Sequence, residues 1–83
     1  MDGWRDLANA IIETAAHDYK QALRTLERYP YNYMAQRQKY EIEQFFRGSL
    51  FEVLTDIDGN YLMKKLQEEV HSDYRIHRMR KKK

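Results

Sequence analysis

The feature that most constrains this fold is an apolar stripe that keeps a helical period for about six turns. Between residues 4 and 26 apolar side chains recur every three or four positions, so they lie along one side of an α-helix. Pro30 ends the pattern, because proline disfavours helical geometry at the residue before it. The stripe consists of Trp4, Leu7, Ala8, Ile11, Ile12, Ala15, Tyr19, Ala22, Leu23 and Leu26.

A second helix is predicted over residues 33–47. Asn32 is a favourable N-cap for it, and Gly48 is expected to end it in the left-handed conformation common after helices. Its expected inward side chains are Met34, Ala35, Gln38, Ile42, Phe45 and Phe46.

A short third helix and a closing helix follow. Ser49 and Glu52 have the spacing of a capping box, and Asp58 is the expected N-cap of the closing helix. The inward residues are expected to be Leu50, Val53 and Leu54, then Leu62, Leu66, Val70 and Tyr74. Since no alternating pattern is long enough for a strand, we expect an all-α fold. It would be a small bundle of two long helices, one short helix and a closing helix, with a basic C-terminal tail.

Charge divides the chain unevenly. The segment 75–83, RIHRMRKKK, holds six Lys and Arg residues and no acid, which leaves residues 1–74 with nine basic and thirteen acidic residues. We therefore predict one helical domain over 1–74 and a basic, flexible tail over 75–83. Because the chain has no cysteine, no membrane-length apolar run and an acidic rather than apolar start, we expect a cytoplasmic protein.

The run TDIDGN at residues 55–60 looks like the start of a calcium loop, but its spacing argues against one. An EF-hand loop needs oxygen ligands at positions 1, 3 and 5, glycine at 6 and glutamate at 12. With Gly59 at position 6, position 1 is Leu54 and position 12 is Lys65. We expect this run to cap and turn the chain, and we expect no metal and no cofactor.

No catalytic residues are expected either. His17, His71 and His77 lack the spacing of metal ligands, and the three glycines are too scattered for a phosphate loop. Ser49 and Thr55 are better explained as caps. The sequence therefore favours a protein that is not an enzyme.

Seven tyrosines are many for 83 residues, and four of them lie in or near the first turn between helices. Aromatic and arginine side chains are enriched at protein interfaces, and the same mixture can stack on single-stranded bases. Alternatively, the rings could plug the open end of a small bundle. The candidate partner-binding residues are Tyr29, Tyr31, Tyr33, Arg37 and Tyr40.

Two charged groups are further candidates. The acids Glu41, Glu43, Glu52 and Asp56 could mimic nucleic acid by competing for a basic channel on a partner. The tail cations would attract phosphate or an acidic protein surface with a strong salt dependence. These cations are Arg75, Arg78, Arg80, Lys81, Lys82 and Lys83.

Three segments carry a resemblance to known proteins: DYKQALRTL, EQFFRGSLFEVLTDIDG and YLMKKLQEEV. Together they resemble small helical proteins encoded by phages, prophages and mobile elements of Gram-positive bacteria. In that group the first turn is closer to Asn-Pro-x-Asn, whereas here it reads YPYN. The resemblance implies action on host or phage machinery, and it brings no catalytic residue.

These observations lead to one expected function and two alternatives. We expect a phage or mobile-element protein that binds a host or phage protein, in its sharpest form an anti-CRISPR-like inhibitor of a bacterial defence system. It would act in the cytoplasm of the bacterial host. The alternatives are a small nucleic-acid-binding regulator that uses the tail with Lys64 and Lys65, and a virion assembly accessory. Because three substantial helices in so short a chain give a thin core, a homodimer that completes a larger bundle is a further hypothesis.

Overall fold

The computed structural model describes the backbone of residues 2–81 and the side chains of residues 3–75. Within that range it has four helices and no strand: α1 (Asp2–Arg28), α2 (Tyr33–Arg47), α3 (Ser49–Leu54) and α4 (Gly59–Lys81). The predicted all-α fold is confirmed, as is its order of two long helices, a short helix and a closing helix.

The three longer helices form a bundle in which α2 runs antiparallel to α1 and α4. A tight turn reverses α1 into α2, where the backbone amide of Asn32 donates to the carbonyl of Tyr29 at 3.0 Å. Lys20 pairs with Glu69 at 2.8 Å and Arg24 reaches Asp73 at 4.0 Å. The residue numbers of the paired side chains therefore increase in the same direction along α1 and α4. Those two helices are therefore parallel, and α3 contacts both α1 and α2.

The helices are staggered along the bundle. The fold is 52 Å long, whereas α1 alone is about 40 Å long at 1.5 Å per residue. The spacing of the Lys20–Glu69 pair puts the start of α4 level with about residue 10 of α1. The first turns of α1 therefore extend past α4 at one end, and α4 extends about one turn past the end of α1, level with the turn at residues 29–32, at the other.

The core joins side chains from all four helices. Its buried members are Tyr19, Phe46, Phe51, Met63 and Leu66. The ring of Phe46 meets those of Tyr19 and Phe51 edge-on, with centroids 5.7 and 5.5 Å apart. Edge-on pairs add to the stabilisation that burial of the rings provides.

The hydroxyl of Tyr19 links α1 to both neighbouring long helices. It donates to Oε2 of Glu43 at 2.7 Å and accepts from Nε2 of Gln67 at 2.7 Å. Burial raises the pKa of Tyr19 to about 12, so the hydroxyl keeps its proton at neutral pH. One buried polar atom is thereby satisfied twice, which is what burial of a polar group requires.

The predicted caps at Asn32 and Asp58 are confirmed. Oδ1 of Asn32 accepts from the amide of Ala35 at 2.8 Å, and Oδ1 of Asp58 accepts from the amide of Asn60 at 2.9 Å. Because short polar side chains can satisfy amides that a helix start leaves without partners, both positions could be recognised in the sequence.

The predictions for Gly48 and for the capping box at Ser49 and Glu52 are wrong. Gly48 has an extended backbone, with φ −87° and ψ 170°, and it is both the C-cap of α2 and the N-cap of α3. Helix α3 begins immediately at Ser49, so Ser49 is helical and makes no side-chain cap bond. With only Gly48 between the helices, the chain cannot hold a left-handed glycine and a separate cap residue.

The predicted inward faces of α2 and α3 also need correction. Met34 and Gln38 are exposed in α2, and Leu50 and Val53 are exposed in α3. Leu54 is buried as predicted, but α3 is rotated so that Phe51 enters the core beside Phe45 and Phe46. In α4 the buried apolar side chains among the described residues are Met63, Leu66 and Val70, with Leu62 and Tyr74 half-buried.

The basic segment continues the last helix. Helix α4 runs to Lys81, well beyond the predicted domain limit at residue 74. The side chains of 76–83 lie outside the described residues, so the predicted flexibility of this segment stays a prediction.

Gly59 allows α4 to begin directly against α2. A Cβ at this position would overlap with the carbonyl oxygen of Phe46 and would lie 2.9 Å from its carbonyl carbon. Since both atoms belong to the backbone, no rotamer change could relieve the clash. The glycine of the TDIDGN run is therefore needed for close approach between helices.

Replacing Gly59 with alanine should separate this requirement from the general effect of alanine in helices. We expect G59A to lower the free energy of unfolding by roughly 3 kcal/mol, because backbone must move to admit the methyl group. Gly3→Ala is the matched control, since a Cβ at Gly3 meets nothing within 4 Å. Urea denaturation followed by circular dichroism measures both changes, and a G59A protein as stable as the control would disprove the contact.

Candidate functional site

Aromatic side chains project from one end of the bundle and from the outer face of α2. Tyr31 is 91% exposed, and its neighbours in this group are all at least 60% exposed. We call the group the aromatic surface; it consists of Tyr29, Tyr31, Tyr33, Met34, Arg37 and Tyr40. Rings that plugged the end of the bundle would be covered by other elements, so that alternative is not what the structure shows.

The turn that carries Tyr29 and Tyr31 is held by several hydrogen bonds despite its exposure. The amide of Tyr29 donates to the carbonyl of Thr25 at 2.7 Å. Nε2 of Gln36 donates to the carbonyl of Pro30 at 2.8 Å. Pro30 itself fixes one backbone angle. The rings are therefore displayed on an ordered backbone, which reduces the entropy lost when a partner binds.

Helical spacing aligns the rest of the aromatic surface. Tyr33, Arg37 and Tyr40 fall at intervals of four and three residues, so they share one face of α2. Nε of Arg37 donates to Oε2 of Glu41 at 3.2 Å, which orients the guanidinium on that face. Sequence reasoning placed Met34 in the core, but the structure adds it to this surface at 70% exposure. The sequence offered one signal for this exposure, because Met34 directly follows Tyr33, a candidate partner-binding residue.

The predicted acidic residues do not form one surface. Glu41 borders the aromatic surface, whereas Glu52 and Asp56 line a different region near the start of α4. Glu43 points inward, where it accepts from Tyr19 and pairs with Lys39 at 2.8 Å and more distantly with Arg47 at 4.0 Å. A single nucleic-acid-like acidic face is therefore not assembled by this fold.

The Glu43 carboxylate is stabilised by its neighbours. Partial burial raises the pKa of Glu43, but hydrogen bonds from Lys39 and Tyr19 outweigh that effect, so its pKa lies below the ordinary value. Nearby Arg47 acts in the same direction. The charge of Glu43 is therefore used inside the bundle, where it links α2 to α1.

An open depression of about 590 Å³ lies around the TDIDGN run. Several of its polar groups bind the local backbone: Oγ1 of Thr55 accepts from the amide of Ile57 at 3.2 Å, and Asp58 caps α4. In the described part of the chain, no group of three or more His, Asp or Glu side chains is placed to hold a metal ion. The depression is explained by the turn between α3 and α4.

The histidines that the structure describes make ordinary surface contacts. Nε2 of His17 lies 3.3 Å from the Gln21 amide, and Nδ1 of His71 lies 3.3 Å from Oε1 of Glu27. His77 lies outside the residues whose side chains are described.

The basic segment leaves the bundle at the same end as the turn of the aromatic surface. This follows because α4 is parallel to α1 and extends past its last residue. Arg75 is exposed there. The side chains of Arg78, Arg80, Lys81, Lys82 and Lys83 lie outside the described residues. Sequence reasoning identified both groups but did not place them at one end.

None of the helices in residues 2–81 has the length and apolar character needed to cross a membrane. No protein-family model, curated protein or solved structure matches the chain. The resemblance to phage-encoded helical proteins therefore stays a prediction.

The Glu43 network makes stability depend on pH in a defined direction. Folding lowers the pKa of Glu43. The stabilisation that its charge provides is therefore fully present above the unfolded-state pKa of about 4.3 and is lost as pH falls through the folded-state pKa. We expect E43Q to be less stable than wild type by about 2 kcal/mol at pH 7, with the gap narrowing below about pH 4. Urea denaturation across pH measures this.

Glu41→Gln is the matched control for that comparison. Its pair with Arg37 is exposed, so we expect a change of less than about 0.5 kcal/mol. If the difference in free energy of unfolding between wild type and E43Q were the same at pH 3 and pH 7, the hydrogen bonds and ion pairs around Glu43 would not favour its ionised form.

Proposed function

We propose that this chain is a non-enzymatic binding protein that docks onto another protein through its aromatic surface. The observation that carries the proposal is the exposure of four tyrosines, a methionine and an arginine on ordered backbone. None of the four rings belongs to the core cluster.

The composition of the aromatic surface supports a protein partner. Tyrosine, methionine and arginine are enriched at interfaces, and tyrosine and arginine often carry most of the binding energy. A tyrosine ring buries a large area while few rotatable bonds are frozen. Glu41 beside Arg37 adds a polar rim, which would give a partner directional contacts.

The partner we propose is a host or phage protein in the bacterial cytoplasm. The narrower form, inhibition of a bacterial defence system, depends on the resemblance and on the small size of the chain. Action as a virion assembly accessory would use the same surface. Because these forms differ only in the partner, capture of that partner separates them.

A second candidate function is binding of single-stranded nucleic acid. The observation that favours it is the shared end of the aromatic turn and the basic segment. Single-stranded nucleic acid is bound by cations that follow the backbone and by aromatic rings that stack on bases. The cations of Lys64 and Lys65 lie nearer the start of α4, and Lys65 is 5.9 Å from the ring of Tyr61.

Substitution of the aromatic surface should remove binding and leave the fold intact. We expect the triple variant Tyr31→Ala, Tyr33→Ala and Arg37→Ala to weaken partner binding at least about 100-fold, since several anchors are lost together. Its free energy of unfolding should change by less than about 1 kcal/mol, because these residues are exposed. Tyr61→Ala, on α4 and 58% exposed, is the control.

The measurement is affinity capture from a lysate of the encoding organism, followed by mass spectrometry, with and without nuclease treatment. Proteins retained by wild type and Y61A, lost by the triple variant and insensitive to nuclease would support a protein partner. Release by nuclease would favour the second candidate. Equal capture by wild type and the triple variant would contradict the assignment of this surface.

A further inference from the structure

A second exposed apolar region lies at the end of the bundle opposite the aromatic turn. We call it the aliphatic end; it consists of Trp4, Leu7, Ile11, Leu50, Val53 and Ile57. The first three residues follow one line along α1 at spacings of three and four. Leu50 and Val53 lie one turn apart on α3, and Ile57 follows in the loop before α4. The side chains are about half exposed, from 39% at Ile11 to 68% at Val53.

The stagger of the helices explains why Trp4 and Leu7 stay uncovered, and on α3 it is Phe51 and Leu54 that face the core, which leaves Leu50 and Val53 outside. The apolar stripe of α1 continues to Trp4, but α2 and α4 cover α1 only from about residue 10 onward. Helix α3 also contacts α1, and Ala8 is buried at 2% exposure. The stripe is thus longer than the bundle that covers it.

We propose that the aliphatic end is the interface of a homodimer. Six half-exposed side chains leave on the order of 600 Å² of apolar surface per copy, and a dimer covering it on both copies would bury about 1,200 Å². That is the lower limit of specific interfaces. About 600 Å² is also the upper end of the range for the largest apolar patch on a typical monomer, and patches of that size often mark interaction sites.

The composition of the aliphatic end fits a second copy better than a different protein. Its six side chains are wholly apolar, and apolar centres with a polar rim are typical of homodimer interfaces. A two-fold interface brings each patch against itself, so exposed Glu52 and Asp56 beside Val53 and Ile57 would lie at the rim. Arg5 and Asp6 are exposed on the same turns as Trp4 and Leu7, so each copy brings both signs to the rim.

The dimer would have a consequence for binding. Since the aromatic turn lies at the far end of each copy, joining two aliphatic ends would display two aromatic turns facing outward. Two binding sites on one particle can raise the apparent affinity for a repeated or symmetric partner without any new contact. The dimer itself does not depend on the identity of the partner.

Trp4 provides a direct test on the unmodified chain, because it is the only tryptophan and is 55% exposed. Sedimentation velocity between about 1 and 100 µM should show a mass approaching twice the 10.2 kDa of one chain. Over the same range, tryptophan emission should shift to shorter wavelength as the indole leaves water. A monomer throughout, with unshifted emission, would overturn the proposal and leave the aliphatic end to another occupant.

Two variants locate the interface. The double variant Leu7→Glu and Val53→Glu places charge at exposed positions of the aliphatic end, and we expect it to be monomeric at 100 µM. The double variant Tyr31→Ala and Tyr33→Ala is the matched control and should remain dimeric. A dimer that survives the glutamates, or that is lost in the control instead, would overturn the assignment. If the glutamate variant were unfolded by circular dichroism, the emission shift of wild-type Trp4 would decide.

Discussion

The hydroxyl of Tyr19 is the interaction on which the arrangement of the bundle most depends. It is the point where α1 is hydrogen-bonded to α2 through Glu43 and to α4 through Gln67. Hydrogen bonds need short distances and defined angles, so they restrict both the rotation of a helix and its position along its neighbours. Lys39 and Arg47 extend the network along α2, and the ring of Tyr19 packs edge-on against Phe46.

That fixed arrangement decides which surfaces are free. With Ala35 and Phe46 directed into the core, the opposite face of α2 is turned to solvent and carries Tyr33, Arg37 and Tyr40. The position of α4 along α1, marked by the Lys20–Glu69 pair, leaves the start of α1 uncovered and brings the end of α4 level with the aromatic turn. The aromatic surface is therefore a consequence of the rotation of α2, and the aliphatic end is a consequence of the stagger between α1 and α4. Neither surface contributes side chains to the core cluster.

Helix positions could be predicted well from the sequence, because caps and breakers act locally. Asn32, Asp58 and Pro30 mark helix limits by chemistry within a few residues of themselves. The faces of α2 and α3 were harder, since Met34 and Leu50 have apolar side chains that local periodicity places inside. Their exposure depends on the stagger and on Phe51 entering the core from α3, which are long-range packing outcomes. The difference between 27 residues in α1 and 15 in α2 was the available signal that part of α1 would stay uncovered.

The central claim is that the aromatic surface has no structural role and is therefore available for a partner. The most direct test is equilibrium unfolding in urea of a variant in which Tyr29, Tyr31, Tyr33 and Tyr40 are all serine. Since these rings are largely exposed, the account predicts that the free energy of unfolding changes by less than about 1 kcal/mol. A loss of about 3 kcal/mol or more, as for truncation of a buried ring, would show that the tyrosines hold the bundle together and would contradict the account.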